Sequence, residues 1–225
     1  MHDEKTEGIV LRSLDYKDSQ RIITVFTPLG LLSLIVKGLH ARNTQLLTLT
    51  TPFCEGEFLF KRGRSELLKL VDGTVLDPHL SLRQRLSSLE TASHLNKAIL
   101  ASQLAGKISW DLYQLFRIFL KQIPSFELPA ALLASFQLKL LTHEGLLFLS
   151  QQCNRCPEKS AQFLSKGESL CQAHSLEEGF SFSPEEWICL IQLQQAREFS
   201  ALRALDLPLP LLQKISLLFH YRLLN

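Results

Sequence analysis

The 225-residue chain has no apolar run approaching the roughly 18 to 20 residues of a membrane span, so no membrane-spanning class is expected. Its opening stretch, MHDEKTEGIV, is too acidic and polar for a signal or transit peptide. It has five Cys, an odd number with one close pair, which does not suit a disulfide scaffold. Together these point to a soluble, cytoplasmic protein in which each thiol is a metal ligand or a buried side chain. Charge of one sign is also scarce: 24 Lys+Arg stand against 22 Asp+Glu, a net +2. A nucleic-acid partner would therefore need its cations gathered locally.

Enzyme signatures are missing as well. There is no Walker-type phosphate loop, dinucleotide fingerprint or nucleophile elbow. His143-Glu144 lacks the second His of a zincin helix, because Leu147 stands four positions on. The residue before Cys153 is Gln152 rather than Pro, which removes the zinc deaminase pattern. The chain is read as non-catalytic. It has no internal repeat and no low-complexity tract.

What the chain does have is apolar material: 46% of its residues, with 49 Leu, which excludes intrinsic disorder. From residue 7 to 75 the apolar period is that of strands, with β-branched and aromatic residues grouped between turn signals. Five strands are predicted, at 8–14, 21–26, 31–36, 53–61 and 67–76, with one long link at 38–52. Five strands with one long link suit a closed OB-fold barrel, and an SH3-like barrel would give nearly the same string. After Asp77-Pro78 the period becomes helical. Helices are predicted at 81–103, 110–123, about 129–143, 184–199 and 209–224, the fourth opened by the capping box Ser183-Pro184-Glu185-Glu186. The fold class is α+β: an OB domain at 1–78, then a helical domain at 79–225 with a small insert at about 150–180. Seven basic residues against three acidic ones fall within 79–139, so the cationic surplus sits on the first helices.

The insert carries the most specific local signal. Cys153-Asn-Arg-Cys156 is followed after fourteen residues by Cys171-Gln-Ala-His174. Two-residue gaps let both members of each pair reach one ion from a tight turn, and Cys3His is a tetrahedral Zn2+ set. All four positions are protein ligands, so one structural Zn2+ per chain is expected, with no open position for a hydrolytic water. Cys54 and Cys189 are read as buried thiols.

The runs Gly8-Ile-Val-Leu-Arg12, Asp15-Tyr-Lys-Asp-Ser-Gln-Arg-Ile-Ile-Thr-Val-Phe-Thr27 and Gly30-Leu-Leu-Ser-Leu-Ile-Val-Lys37-Gly38 resemble the N-terminal domain of the RecO family of bacterial recombination mediators. The approach to the Cys pair, Leu140 to Leu149, also looks like that family's zinc-bearing insert. The resemblance implies an OB domain joined to a helical domain. It also implies binding to single- and double-stranded DNA, annealing of complementary strands, contact with RecR and with the single-stranded DNA-binding protein SSB, and help in loading RecA. Two departures bear on function. The stretch after Lys37-Gly38, rich in Lys and Arg in the family, here offers one Arg and one His, and His174 replaces the usual fourth Cys.

Among the basic residues of the barrel half, Arg12, Lys17, Arg21 and His40 are open candidates, Arg21 the weakest. Lys37, Arg42, Lys61, Arg62 and Arg64 are chosen as the DNA-binding set, because a strand end and a turn project charge from a rigid barrel. A helical wheel of 110–121 places Leu112, Leu115, Phe116 and Phe119 toward a core, with Gln114, Arg117, Lys121 and Trp110 opposite. The family's acidic, apolar-ended SSB tail assigns Trp110, Arg117 and Lys121 as its expected receptor. A zinc-containing OB module acting on RNA or in transcription is the alternative reading.

Overall fold

The computed structural model describes residues 3–63, 67–156, 159–175 and 179–224. Strands β1 (Asp3–Lys17), β2 (Gln20–Thr27), β3 (Gly30–Lys37), β4 (Glu55–Lys61) and β5 (Leu68–Asp77) close a barrel in the order β1-β2-β3-β5-β4. β1 serves both neighbours, pairing β4 through residues 3–9 and β2 through 9–17. All contacts are antiparallel except β3 with β5, which is parallel at Leu34↔Leu68 and Ile35↔Lys69. This is the OB-fold arrangement, and closure removes the strand edges that an open sheet would expose. Val10, Ile23, Val25, Leu34, Val36, Phe58 and Phe60 fill the interior.

The long link holds a helix that strand periodicity did not suggest, α1 (Thr44–Leu49), capped by the Asn43 side chain accepting from the Leu46 N–H. α1 drives Leu49 into the barrel. A Cβ at Gly56 in β4 or Gly73 in β5 would collide with the Leu49 side chain, so these two strand glycines are the space that receives the plug.

The barrel strands end at Asp77, beside the expected boundary at 78, but the compact unit they belong to runs on to Lys121. It includes α2 (Leu86–Ser102) and most of α3 (Trp110–Gln122). Asn96 of α2 donates to the Leu11 carbonyl, and Tyr113 and Phe116 of α3 meet Phe26 edge-on. Burial along α3 corrects the wheel: Tyr113 and Leu120 are fully buried, Leu115 is half-buried, and Ile118 is exposed. The helix is gripped by the barrel on a broader side than a single apolar stripe.

The second unit, residues 122–225, packs α4 (Ala130–His143) against α5 (Pro184–Gln195), α6 (Phe199–Arg203) and α7 (Leu209–Leu224). The capping box at Ser183 forms as expected. α5 stops at Gln195 rather than 199 because α4 satisfies its last carbonyls: Ser135 donates to Leu193 O at 2.6 Å and Lys139 to Gln194 O at 2.7 Å. The insert adds a hairpin, β6 (Phe163–Ser165) with β7 (Glu168–Leu170), and β8 (Phe180–Ser181) along β6. Among the described residues no helix is long and apolar enough to cross a membrane.

Candidate nucleic-acid interface and metal clip

The registers of β1, β2 and β3 assemble one outward face. Arg12↔Thr24↔Ser33 forms one row, Leu14↔Ile22↔Ile35 the next, and Lys17↔Gln20↔Lys37 the last. Lys69 of β5 stands beside Ile35. These side chains are exposed or half-buried, whereas the alternating Ile23, Leu34 and Val36 are in the core. The face therefore has an apolar middle row with cations at its margins. Just beyond β3, Gly38, His40, Ala41, Arg42 and Asn43 line an open depression of ≈ 630 Å3, with His40 Nδ1 3.4 Å from the Ser19 hydroxyl.

Ion pairing divides the sequence-predicted cations. Among the described residues, Arg12, Lys37, Arg42 and Lys69 make no ion pair, so their charge is available to a partner. Lys61 pairs with Asp3 at 3.4 Å, and Arg62 lies on Glu4 in a two-bond contact at 3.0 and 3.1 Å. The two partners reinforce each other's charge: the Arg62 hydrogen bond lowers the Glu4 carboxyl and Glu4 raises the guanidinium. Arg21 turns to the barrel end, where it bonds Asp15 and the Thr50 hydroxyl, so its work is structural. Arg64 lies outside the described residues. Lys69 was not singled out in the sequence because one Lys in an apolar strand has no local signature; only the β3–β5 pairing brings it to this face.

The proposed partner-binding residues share a helix but not a free surface. Trp110 is 54% exposed and packs at a tilt on Tyr113. Arg117 and Lys121 both lie on Glu55, at 2.6 and 3.1 Å, and Glu55 is buried at the start of β4. Burial opposes the Arg117 charge, but Glu55 outweighs it and holds the guanidinium above its ordinary value. Beside this carboxylate, Cys54 is buried as expected, and burial followed by the charges of Asp77 and Glu55 pushes its thiol up to about 12. Cys189 is half-buried.

The four predicted metal-ligating residues converge. His174 Nδ1 is 3.5 Å from Cys153 Sγ, 3.3 Å from Cys156 Sγ and 3.5 Å from Cys171 Sγ, and the sulfurs of Cys156 and Cys171 are 3.5 Å apart. A tetrahedral ion with sulfur at about 2.3 Å and nitrogen at about 2.0 Å spaces its ligand atoms by about 3.5–3.8 Å, so the donor set can hold such an ion. Two tight turns make the convergence possible, one held by Arg155 N–H to Cys153 Sγ at 3.4 Å and one closed by His174 N–H to Cys171 O. Burial opposes ionisation of Cys153, yet the backbone N–H groups of Cys171, Arg155 and Cys156 outweigh it and hold this thiol down, to about 6. Burial pushes Cys156 the other way, to about 11, and the neighbouring thiols add to it. Three thiolates crowded together repel one another unless a cation sits among them.

Fold and site define an OB-fold protein with a cationic sheet face and, on a helical unit, a Cys3His cluster that can hold a metal ion. The family description "Recombination protein O N terminal" matches residues 1–79. The chain is 33% identical over 215 residues to DNA repair protein RecO of Chlamydia pneumoniae, covering 94% of this chain and 85% of that protein. It is 32% identical to DNA repair protein RecO of Chlamydia trachomatis serovar L2, over 94% and 89% of the two chains. For DNA repair protein RecO of Clostridium acetobutylicum the figures are 28%, 85% and 79%. The chain belongs to the RecO family.

Proposed function

We propose that this chain is a non-catalytic recombination mediator that binds single- and double-stranded DNA and anneals complementary strands. With RecR, it helps RecA onto strands covered by SSB, in the cytoplasm at the nucleoid. Family membership supports a role in DNA repair and recombination. The observation that carries the rest is the face bearing Arg12, Lys37 and Lys69, without carboxylate partners among the described residues, continued by Arg42 beyond β3. Such a face attracts phosphates through release of condensed counterions, a term blind to sequence. Lys37 and Arg42 lead this track. Lys61 and Arg62 join it at a cost, since a phosphate must first draw them from Asp3 and Glu4. Annealing of SSB-coated complementary oligonucleotides tests the reading: the protein is expected to accelerate it, and no acceleration with either SSB-coated or bare strands would overturn it.

The metal reading is one structural Zn2+ on Cys153, Cys156, Cys171 and His174, ordering the insert rather than acting on substrate.

The SSB tail, acidic with an apolar end, has two receptors to choose between. The assignment to Trp110, Arg117 and Lys121 requires an incoming carboxylate to compete with Glu55. A cleft of ≈ 550 Å3 in the second unit offers a different arrangement, with Phe126, Leu128, Leu202 and Leu212 as apolar walls. Arg203 stands there 5.3 Å over the Phe126 ring, bonded to the Ser125 hydroxyl and without a carboxylate partner among the described residues. Glu127 and Asp206 on the rim limit how many acidic side chains it admits, so a single terminal carboxylate beside an apolar side chain suits it best. Titration of a fluorescent SSB-tail peptide separates the two: Arg203→Ala weakens binding if the cleft is used, and Lys121→Ala does so if the helix face is used.

A further inference from the structure

We infer that Tyr16 is a base-stacking residue that makes the barrel face prefer single-stranded over double-stranded nucleic acid; the inference rests on the DNA-binding reading above. β1 and β2 pair at Asp15↔Arg21 and at Lys17↔Gln20, so Tyr16 is the extra residue of a bulge and has no partner across the ladder. A bulge at a strand end re-aims the side chain it carries. Here it leaves a large ring 48% exposed near the end of β1, just before the turn into β2. Of the three Tyr, this one lies on the cationic end of the barrel. Its neighbour Lys17 is in register, through Gln20, with Lys37, and the Lys17 ammonium sits 5.3 Å over the Tyr16 ring. A cation over the ring and another across the adjoining strands are what a nucleotide needs when its base lies on an aromatic face and its phosphate remains outside.

The surface beyond Tyr16 continues this character. Leu14, 47% exposed, Ile22 and Ile35 form the uncharged middle row, with Lys69 at its end. Phosphates gain little from such a row, but the flat faces of bases do. A duplex keeps its bases stacked on each other and presents only phosphates and groove edges, so it can use the cations but not Tyr16 or the apolar row. Single strands can use both, and the difference in affinity is the contribution of the stack.

The experiment measures binding of oligo-dT and of a duplex of equal length to wild type, Tyr16→Phe, Tyr16→Leu, Tyr16→Ala and Lys37→Ala, each over a range of salt. Tyr16→Ala is expected to lower single-strand affinity about ten-fold with duplex affinity and salt slope unchanged, because stacking releases no counterion. Tyr16→Phe, which keeps the ring, should bind as wild type, and Tyr16→Leu, apolar but not planar, should resemble Ala. Lys37→Ala should weaken both ligands and flatten the slope. Equal single-strand affinity in wild type and Tyr16→Ala would overturn the stacking role while leaving DNA binding intact. A parallel loss on duplex would also overturn it, and absence of binding to either ligand by wild type would instead overturn the underlying reading. Because Tyr16 is exposed and unpaired in the ladder, unchanged urea midpoints are expected for all three variants.

Discussion

Arg117 Nε donates to Glu55 Oε1 at 2.6 Å, so a helix residue expected to face solvent is instead the clasp between α3 and the first residue of β4. Glu55 is 1% exposed, and Lys121 takes its other oxygen at 3.1 Å. A buried carboxylate needs partners, and α3 supplies both one turn apart.

Glu55→Gln should therefore destabilise the first unit. Removing one member of a buried pair costs 3–5 kcal/mol in general, and solvent reaches Arg117 and Lys121 here, which reduces the expected loss to about 2 kcal/mol. Urea unfolding followed by Trp110 fluorescence, with Trp187 of the second unit replaced by Phe in both proteins, measures it. An unchanged midpoint would show that the clasp contributes nothing, and any test of Arg117 as a peptide receptor must first correct for this loss.

Cys171→Ser should lower bound zinc from about one equivalent per chain to well below half, as measured by elemental analysis of protein purified without added metal. Hydrogen exchange should rise in 150–181 while residues of the barrel, 3–61, keep their protection. Exchange that stays slow in the insert would mean the hairpin β6–β7 holds without an ion.

The Lys37→Ala, Arg42→Ala double variant should reduce the log-log salt slope for single strands by about 1.4, at about 0.7 per phosphate contact. Lys69→Ala should reduce it by about 0.7. Arg62→Ala should change it less, because its charge is already compensated by Glu4. A larger effect from Arg62 than from Lys37 would relocate the DNA path.

The capping box gives a pH dependence with a definite sign. Burial opposes ionisation of Glu186, but Lys214 at 2.7 Å and the Ser183 N–H outweigh it and hold the carboxyl below its ordinary 4.5. A folded-state value below the unfolded one stabilises fully above pH 4.5, and that stability is lost as pH falls further, through the folded value. Glu186→Gln should lower stability at pH 7 and flatten the acid limb of the stability profile below pH 4.5. Equal acid limbs in the two proteins would show that the Lys214 pair has no net effect.

Local chemistry was legible from residues alone. The five strands, the capping box at Ser183 and the paired spacing of Cys153, Cys156, Cys171 and His174 all depend on neighbours within a few positions, where periodicity and turn chemistry act. Helix α1 was not legible because Thr44 to Leu49 is too short for a helical period, and its purpose, seating Leu49 against Gly56 and Gly73, exists only once the barrel is closed.

The sequence by itself determined that a barrel precedes helices and that four ligand side chains can meet on one ion, because each follows from spacing along the chain. Only the tertiary structure decided which cations are free. Lys37 and Arg62 look alike as residues, yet strand pairing sets Glu4 against Arg62 and leaves Lys37 beside Gln20. Arg117 reads as a solvated helix residue until folding brings Glu55, 62 positions away, within hydrogen-bonding distance. Charge is a property of the residue, but its availability depends on what stands within about 4 Å, and for these side chains that is fixed by contacts between distant segments.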